Sequence, residues 1–502
     1  MTPARYAPEL VDGGFAIEVA DAPLLHDGLN LADLAHLVVL TEQGLIPDGA
    51  AARLFAVLLD ARRTPVEEFG YDPALGEVYN GRERRFAGLI GKDAGWLHVA
   101  RTRREAVRVA LRVRLRGDLL GLVEAGARFA LAAAEQAGAH AETYLADQTY
   151  LQHAQPSTFG HYLLAFTDPA LRDVDRLRCE LDRVNRSPAG VGSVNGGRLP
   201  YDRYRAAELL GFDGVIEHTR DAMWQADGLV AALAATTSLV VTLSKLAEDL
   251  EIWAGDEYGW VALADGHSRS SVMMPQKRNP YALSMVRGQA GVLIGRLTGL
   301  LAVGKTPSAR SDGMIFAYGE VPRALDLATR SARLMAGVVA GLTVDAAAMR
   351  RALDRSFTQA TDLAEFVMQT CAVDYRTAYE VVGAAVREAA RRGQTGRDID
   401  GAMLDAAAVR LEGRTLGLAG RDLSPVLDPV AVVATRAGIG GAAPDVVRAM
   451  AARRAERART VLAATAQRRV ALQAAERSLV ALAESRAADL PDRPAQSPTE
   501  KG

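Results

Sequence analysis

The chain has 502 residues, a formal net charge of -2 and a hydrophobic fraction of 49%. Near-neutral charge gives no field for gathering nucleic acid or an anionic membrane, and two distant cysteines, Cys179 and Cys371, make neither a disulfide framework nor a metal-spaced set. The length exceeds one typical domain, so more than one helical unit is expected.

In chain order, MTPARYAPEL lacks a basic region followed by an apolar core, so no signal peptide and a cytoplasmic location are expected. Residues 101–136 repeat apolar positions at helical spacing among many arginines. The stretch RSPAGVGSVNGGRLPYDRYR, 186–205, is rich in Gly and Pro and reads as a loop. Residues 227–253 and 281–305 are apolar on most faces, as expected for helices buried between other helices. Between them lies SRSSVMMPQKRNP, 268–280, a polar segment with two prolines. A third loop follows at 304–314, with shorter helices from about residue 354 and a polar, Pro-bearing tail. The pattern predicts an all-α fold with a central long-helix bundle. Its expected parts are an N-terminal domain 1–101, the bundle 102–354, a C-terminal helical domain 355–485 and a disordered tail 486–502. There is no strand–GxGxxG–helix unit, no CxxC and no HExxH, so neither a cofactor nor a metal is expected.

Several segments then line up in order: AHLVVLTEQGLIP (35–47), GWLHVARTRREA (95–106), TYLQHAQPSTFGHYLLAF (149–166), SPAGVGSVNGG (187–197), SSVMMPQKRNP (270–280) and QATDLAEFVM (359–368). Their order resembles the argininosuccinate lyase family of the fumarase/aspartase superfamily, over roughly residues 25 to 445. The resemblance implies a homotetramer with active sites built from three subunits, acting on a dicarboxylate substrate by β-elimination that releases fumarate. It places Ser271 as the catalytic base, with Lys277 and Asn279 holding the substrate carboxylate and its aci form. Thr149, Gln152, Thr102, Arg103, Ser193 and Arg220 fall at substrate-binding positions.

The chain also departs from that pattern. Tyr150 stands where the family has a histidine, and Ser284 where it has that histidine's glutamate partner, so Tyr150 becomes the candidate acid. His267, beside the polar loop, is the other candidate. Arg104 replaces an asparagine, which favours an extra anionic group on the ligand. Tyr79 replaces a second histidine. The run that binds the arginine half of argininosuccinate is replaced by a segment carrying Arg310, Ser311 and Asp312, so a different N-substituted aspartate is expected as substrate. The alternatives are other superfamily chemistry, such as a cycloisomerase or a non-nitrogen elimination, and an inactive lyase-derived scaffold.

Overall fold

The computed structural model describes residues 6–310 and 312–489. The N-terminal part contains α1 (Ala22–Glu42), α2 (Asp48–Arg63) and α3 (Val78–Ile90). The bundle contains α4 (Arg103–Ala139), α5 (Phe159–Val184), α6 (Asp227–Trp253), α7 (Tyr281–Gly304) and α8 (Asp312–Ala340). Shorter helices α9 (Ala360–Cys371), α10 (Tyr375–Arg391) and α11 (Gly401–Glu412) follow, and α12 (Pro444–Asp489) ends the described chain. The fold is all-α, as the periodicity implied.

Helix α4 organises the rest. Thr102 caps it, its hydroxyl accepting from the Glu105 N–H at 3.3 Å, and 37 helical residues span about 55 Å. Along that length α4 packs against α1, α5, α8 and α12. Gly28 of α1 permits a close approach: a Cβ there would lie 2.6 Å from the Ala110 carbonyl oxygen. Helix α6 is long and apolar enough to cross a membrane, but Leu233, Leu239, Val240, Leu243, Leu246 and Leu250 are fully buried in the bundle core. That is the fate expected of a helix apolar on most faces.

The span grouped as 355–485 divides by packing. Leu363, Val367, Val381, Ala385, Leu404 and Leu418 form a core of their own. Helix α12 instead lies along α4 and reaches α2, where Leu479 and Ala483 join the N-terminal core. The helix continues to Asp489, so the first four residues of the expected tail are helical; residues 490–502 lie outside the described residues.

The small strands were not anticipated, and they carry site residues. β1 (Tyr144–Thr149) pairs antiparallel with β2 (Gln152–Thr158). Tyr150 and Leu151 turn the corner with φ of 55° and 58°, a geometry that normally calls for Asn or Gly. β3 (Arg269–Ser270) pairs with β4 (Arg278–Asn279), closing the polar segment into a second hairpin.

Candidate active site

The sequence-derived residues fall into three groups. The first gathers at the N-terminal end of α4. The Thr102 hydroxyl donates to the Gly192 carbonyl at 3.3 Å, tying the helix start to the glycine loop. Arg103 Nε donates to Glu83 at 2.7 Å, and His98 Nε2 meets the same carboxylate at 2.7 Å. Arg104 Nη1 lies 3.1 Å from Glu18 and 3.0 Å from Glu77. Thr102, Arg103, Arg104, His98, Glu77 and Glu83 line an open cavity of about 440 Å³. Arg104 thus offers no uncompensated positive charge: two carboxylates flank it, and the anion-favouring role expected of it is already taken. Burial raises the Glu77 carboxyl above its ordinary range despite the neighbouring Arg104. Burial pushes Glu83 the same way, but its hydrogen bonds from His98 and Arg103 prevail and hold it below that range.

Beneath this cavity lies a buried ion cluster. Asp33 accepts from Arg101 at 2.6 Å, from Arg82 at 2.7 Å and from Tyr79 at 2.8 Å. Burial alone would raise its pKa; Arg101 and Arg82 hold it low. Tyr79 is fully buried and also receives Arg101 at 2.5 Å. The tyrosine at this family histidine position is therefore an anchor for the ion cluster, and burial raises its phenol pKa so that it stays protonated.

The glycine loop joins the same end of the bundle. Trp224 Nε1 donates to the Ser193 carbonyl at 3.0 Å. Arg220, in the short helix Thr219–Trp224, donates from Nη2 to Ser308 Oγ at 3.0 Å. It shares a cavity of about 240 Å³ with Arg310 and Trp224. Ser311 lies outside the described residues, as does the side chain of Asp312. Two of the loop amides that could approach a ligand anion are occupied internally: the Gly190 and Gly192 N–H groups donate to Glu105 at 2.6 and 2.8 Å.

The second group sits on the β3–β4 hairpin. Ser271 Oγ accepts from the Met274 N–H at 3.0 Å and the Met273 N–H at 3.3 Å. Two backbone donors aimed at one hydroxyl oxygen stabilise its alkoxide, the form a serine must take to act as a base. The Ser271 N–H donates to the Lys277 carbonyl at 3.2 Å, closing the loop. Among the described residues the Lys277 ammonium has no ion-pair partner. The Asn279 amide donates to the Arg269 carbonyl at 3.0 Å, fixing it across the ladder from Arg269. His267 lies against Gly337, with its Nδ1 buried and unpartnered.

The third group is the β1–β2 tip. Thr149 pairs with Gln152 across the turn, and Tyr150 between them is 99% exposed. Its phenol touches neither Ser271 nor the α4 group. Ser284, at the position lacking the family glutamate, donates to Glu251 Oε1 at 2.6 Å, and Arg287 donates to Glu251 Oε2 at 2.7 Å. A carboxylate is thus present there after all, supplied from α6. Sequence reasoning missed it, although an acidic residue in the last turn of an apolar helix opposes the helix dipole and was a signal. His161 is structural, its ring bonded to Ser157 and to the Gly440 carbonyl.

In one chain these groups lie far apart. The Ser271 hairpin precedes the first residue of α7, whereas Arg310 follows its last; 24 helical residues between them span about 36 Å. The β1–β2 tip follows the C-terminal end of α4, whereas Thr102–Arg104 lie at its start.

The family description "Lyase" matches residues 68–295, and "Argininosuccinate lyase C-terminal" matches residues 357–434. The argininosuccinate lyase of Methanothrix thermoacetophila is 32% identical over 451 residues, covering 90% of this chain and 91% of that protein. That of Halobacterium salinarum is 36% identical over 462 residues, 90% and 89% of the two chains. The chain belongs to the argininosuccinate lyase family. As a member of that family it is a carbon–nitrogen lyase of the fumarase/aspartase superfamily. A variant of EDDS lyase with bound fumarate shares the fold at a TM-score of 0.86 and 26% identity, over 97% of both chains. Against this family background, Glu251 beside Ser284 and the carboxylates around Arg104 are features of this chain's own side chains.

Proposed function

We propose that the protein cleaves an N-substituted aspartate to fumarate and an amine, or runs the reverse addition, and that argininosuccinate is not its substrate. The observation carrying this reading is the Ser271 hydroxyl held between two backbone donors, with Lys277 and Asn279 on the same small hairpin. The serine alkoxide takes the proton from the carbon next to the substrate carboxylate. The Lys277 ammonium and the Asn279 amide stabilise the doubly charged aci-carboxylate that results. Its electrons then form the fumarate double bond as the C–N bond breaks, and the departing nitrogen receives a proton from the Tyr150 phenol. The fumarate seen in EDDS lyase supports the product. The absent arginine-binding run supports a different amine.

The working form in this reading is a homotetramer. The 36 Å between the Ser271 hairpin and the Arg310 end leaves one chain unable to close the site by itself. Helix α7 supports association of copies: Met285, Val292, Ile294 and Leu301 are exposed, and a Cβ at Gly291, Gly295 or Gly299 would meet nothing. A helix with this face, between a base-bearing hairpin and a binding loop, suits close packing against another copy. To test the reading, incubate the protein with fumarate and a panel of amines, and separately with argininosuccinate, following fumarate absorbance. Consumption of fumarate with at least one amine, lost in Ser271→Ala, is expected. Efficient turnover of argininosuccinate would overturn the substrate assignment, and unchanged turnover in Ser271→Ala would overturn the mechanism.

A further inference from the structure

The sequence TRRE, Thr102 to Glu105, has the form of a helix capping box, in which the glutamate would reach back to the N-cap amide. Half of that box forms, since Thr102 accepts the Glu105 N–H. The other half does not. The Glu105 carboxylate turns away and takes the Gly190 N–H on one oxygen and the Gly192 N–H on the other. Both glycines have positive φ, 74° and 64°, which lets two alternate amides converge on the carboxylate in the manner of a nest. At Gly190 a Cβ would also lie 2.4 Å from the Tyr201 ring. Glu105 is fully buried, and among the described residues these two amides are the only hydrogen-bond partners of its carboxylate. The same stretch holds Thr102 by its bond to the Gly192 carbonyl, and Ser193 comes next in sequence.

We propose that Glu105 is a positioning residue: its ionised carboxylate holds the glycine loop against the start of α4, so that Thr102 and Ser193 stand ready for the substrate, and its protonation weakens substrate binding. This rests on the lyase reading for its substrate, though not for the loop itself. The groups facing Glu105 are few. Arg101, at the turn before α4, is bonded to Asp33. Arg203, from the segment after the loop, donates to the carbonyls of Ala189, Ile216 and Glu217. Tyr201 lies beside it and reaches His36 of α1 at 3.2 Å; burial holds both in their neutral forms. Among the described residues no guanidinium bonds the carboxylate directly, and burial outweighs the two amides and the more distant arginines, pushing its pKa up to about 7.

The sign of this shift separates positioning from plain stability. A carboxyl whose folded pKa is raised takes up a proton on folding between its ordinary pKa and about 7, so this group's contribution to global stability grows as pH falls through that window. The loop moves the other way: a neutral carboxyl replaces two charge-assisted bonds with weaker ones. Acidification from pH 8 to pH 6 therefore loosens the loop without loosening the fold.

Two measurements on the full chain test this. In the wild-type protein, hydrogen-exchange protection of the Gly190 and Gly192 amides, corrected for intrinsic rates, falls by about fivefold from pH 8 to pH 6, while the buried amides of α4 keep theirs. In Glu105→Gln, which can accept only one of the two bonds, KM for fumarate at pH 8 rises about fivefold, kcat stays within about twofold, and the pH dependence of KM flattens. Exchange at the two glycines that ignores pH overturns the proposal whether or not Glu105→Gln folds. So does a Glu105→Gln enzyme with wild-type KM at pH 8. If no fumarate and amine pair turns over at all, the lyase reading fails while the exchange experiment still decides the role of Glu105.

Discussion

The β3–β4 hairpin and the start of α4 both carry residues assigned to the reaction, and they are built in opposite ways. Around Thr102, every charged neighbour is tied down: Arg101 and Arg82 on Asp33, Arg103 and His98 on Glu83, Arg104 on Glu18 and Glu77. The hairpin is held by its own short ladder, a few backbone bonds and one exposed ion pair, Arg278 with Asp265, with Val272, Met273 and Lys277 exposed. A binding surface gains from order set before the ligand arrives. In the proposed reaction, where Ser271 is the base and the substrate is carried by other copies, a small, lightly tethered unit that can close is an advantage. The contrast ties rigidity to recognition and exposure to chemistry.

Substitutions can break that contrast, and their expected effects fall in a clear order. Ser271→Ala should lower kcat on the order of 10²- to 10⁴-fold with no loss of helical signal or melting temperature. Activity assays set beside thermal melts would show it. Asp33→Ala should do the reverse. It leaves Arg82 and Arg101 buried without a counter-charge, at a cost of about 3–5 kcal/mol, read by denaturant unfolding; a loss under half of that would mean the cluster is not the anchor described. Thr102→Ala should cost about 1 kcal/mol through the lost cap and raise KM more than it lowers kcat, since the bond to Gly192 goes with it. Val272→Ala removes a fully exposed side chain and should change stability by less than about 0.5 kcal/mol. A large stability loss there would show that the hairpin is packed more tightly than its exposure implies.

Much of this was legible in the sequence for physical reasons. Apolar residues on nearly every face of 227–253 and 281–305 pointed to long bundle helices, and both appear within a residue of the expected limits; the first is buried as expected, whereas the second buries one face and leaves Met285, Val292, Ile294 and Leu301 exposed in the single chain. The glycine and proline content of 186–205 marked the loop. The β1–β2 hairpin was hidden because its turn residues, Tyr150 and Leu151, carry none of the usual turn chemistry. The role of Arg104 was misjudged because its carboxylate partners, Glu18 and Glu77, are far away in sequence. The spacing of Glu105 from Thr102 fits a local capping box, and only the fold shows its carboxylate turned to a loop some 85 residues on. Local rules find elements and caps; they do not find a side chain whose partner arrives by tertiary packing.

The central claim is that residues at opposite ends of the bundle in one chain serve a single site made by several chains. Mixing tests it most directly. Ser271→Ala and Arg103→Ala proteins, each nearly inactive alone, are unfolded together, refolded as a mixture and assayed with fumarate and the best amine. Recovery of activity well above either parent is predicted, because some assembled sites then combine an intact Ser271 hairpin from one copy with an intact Arg103 end from another. A mixture no more active than its parents, with the copies shown to have exchanged, would contradict it.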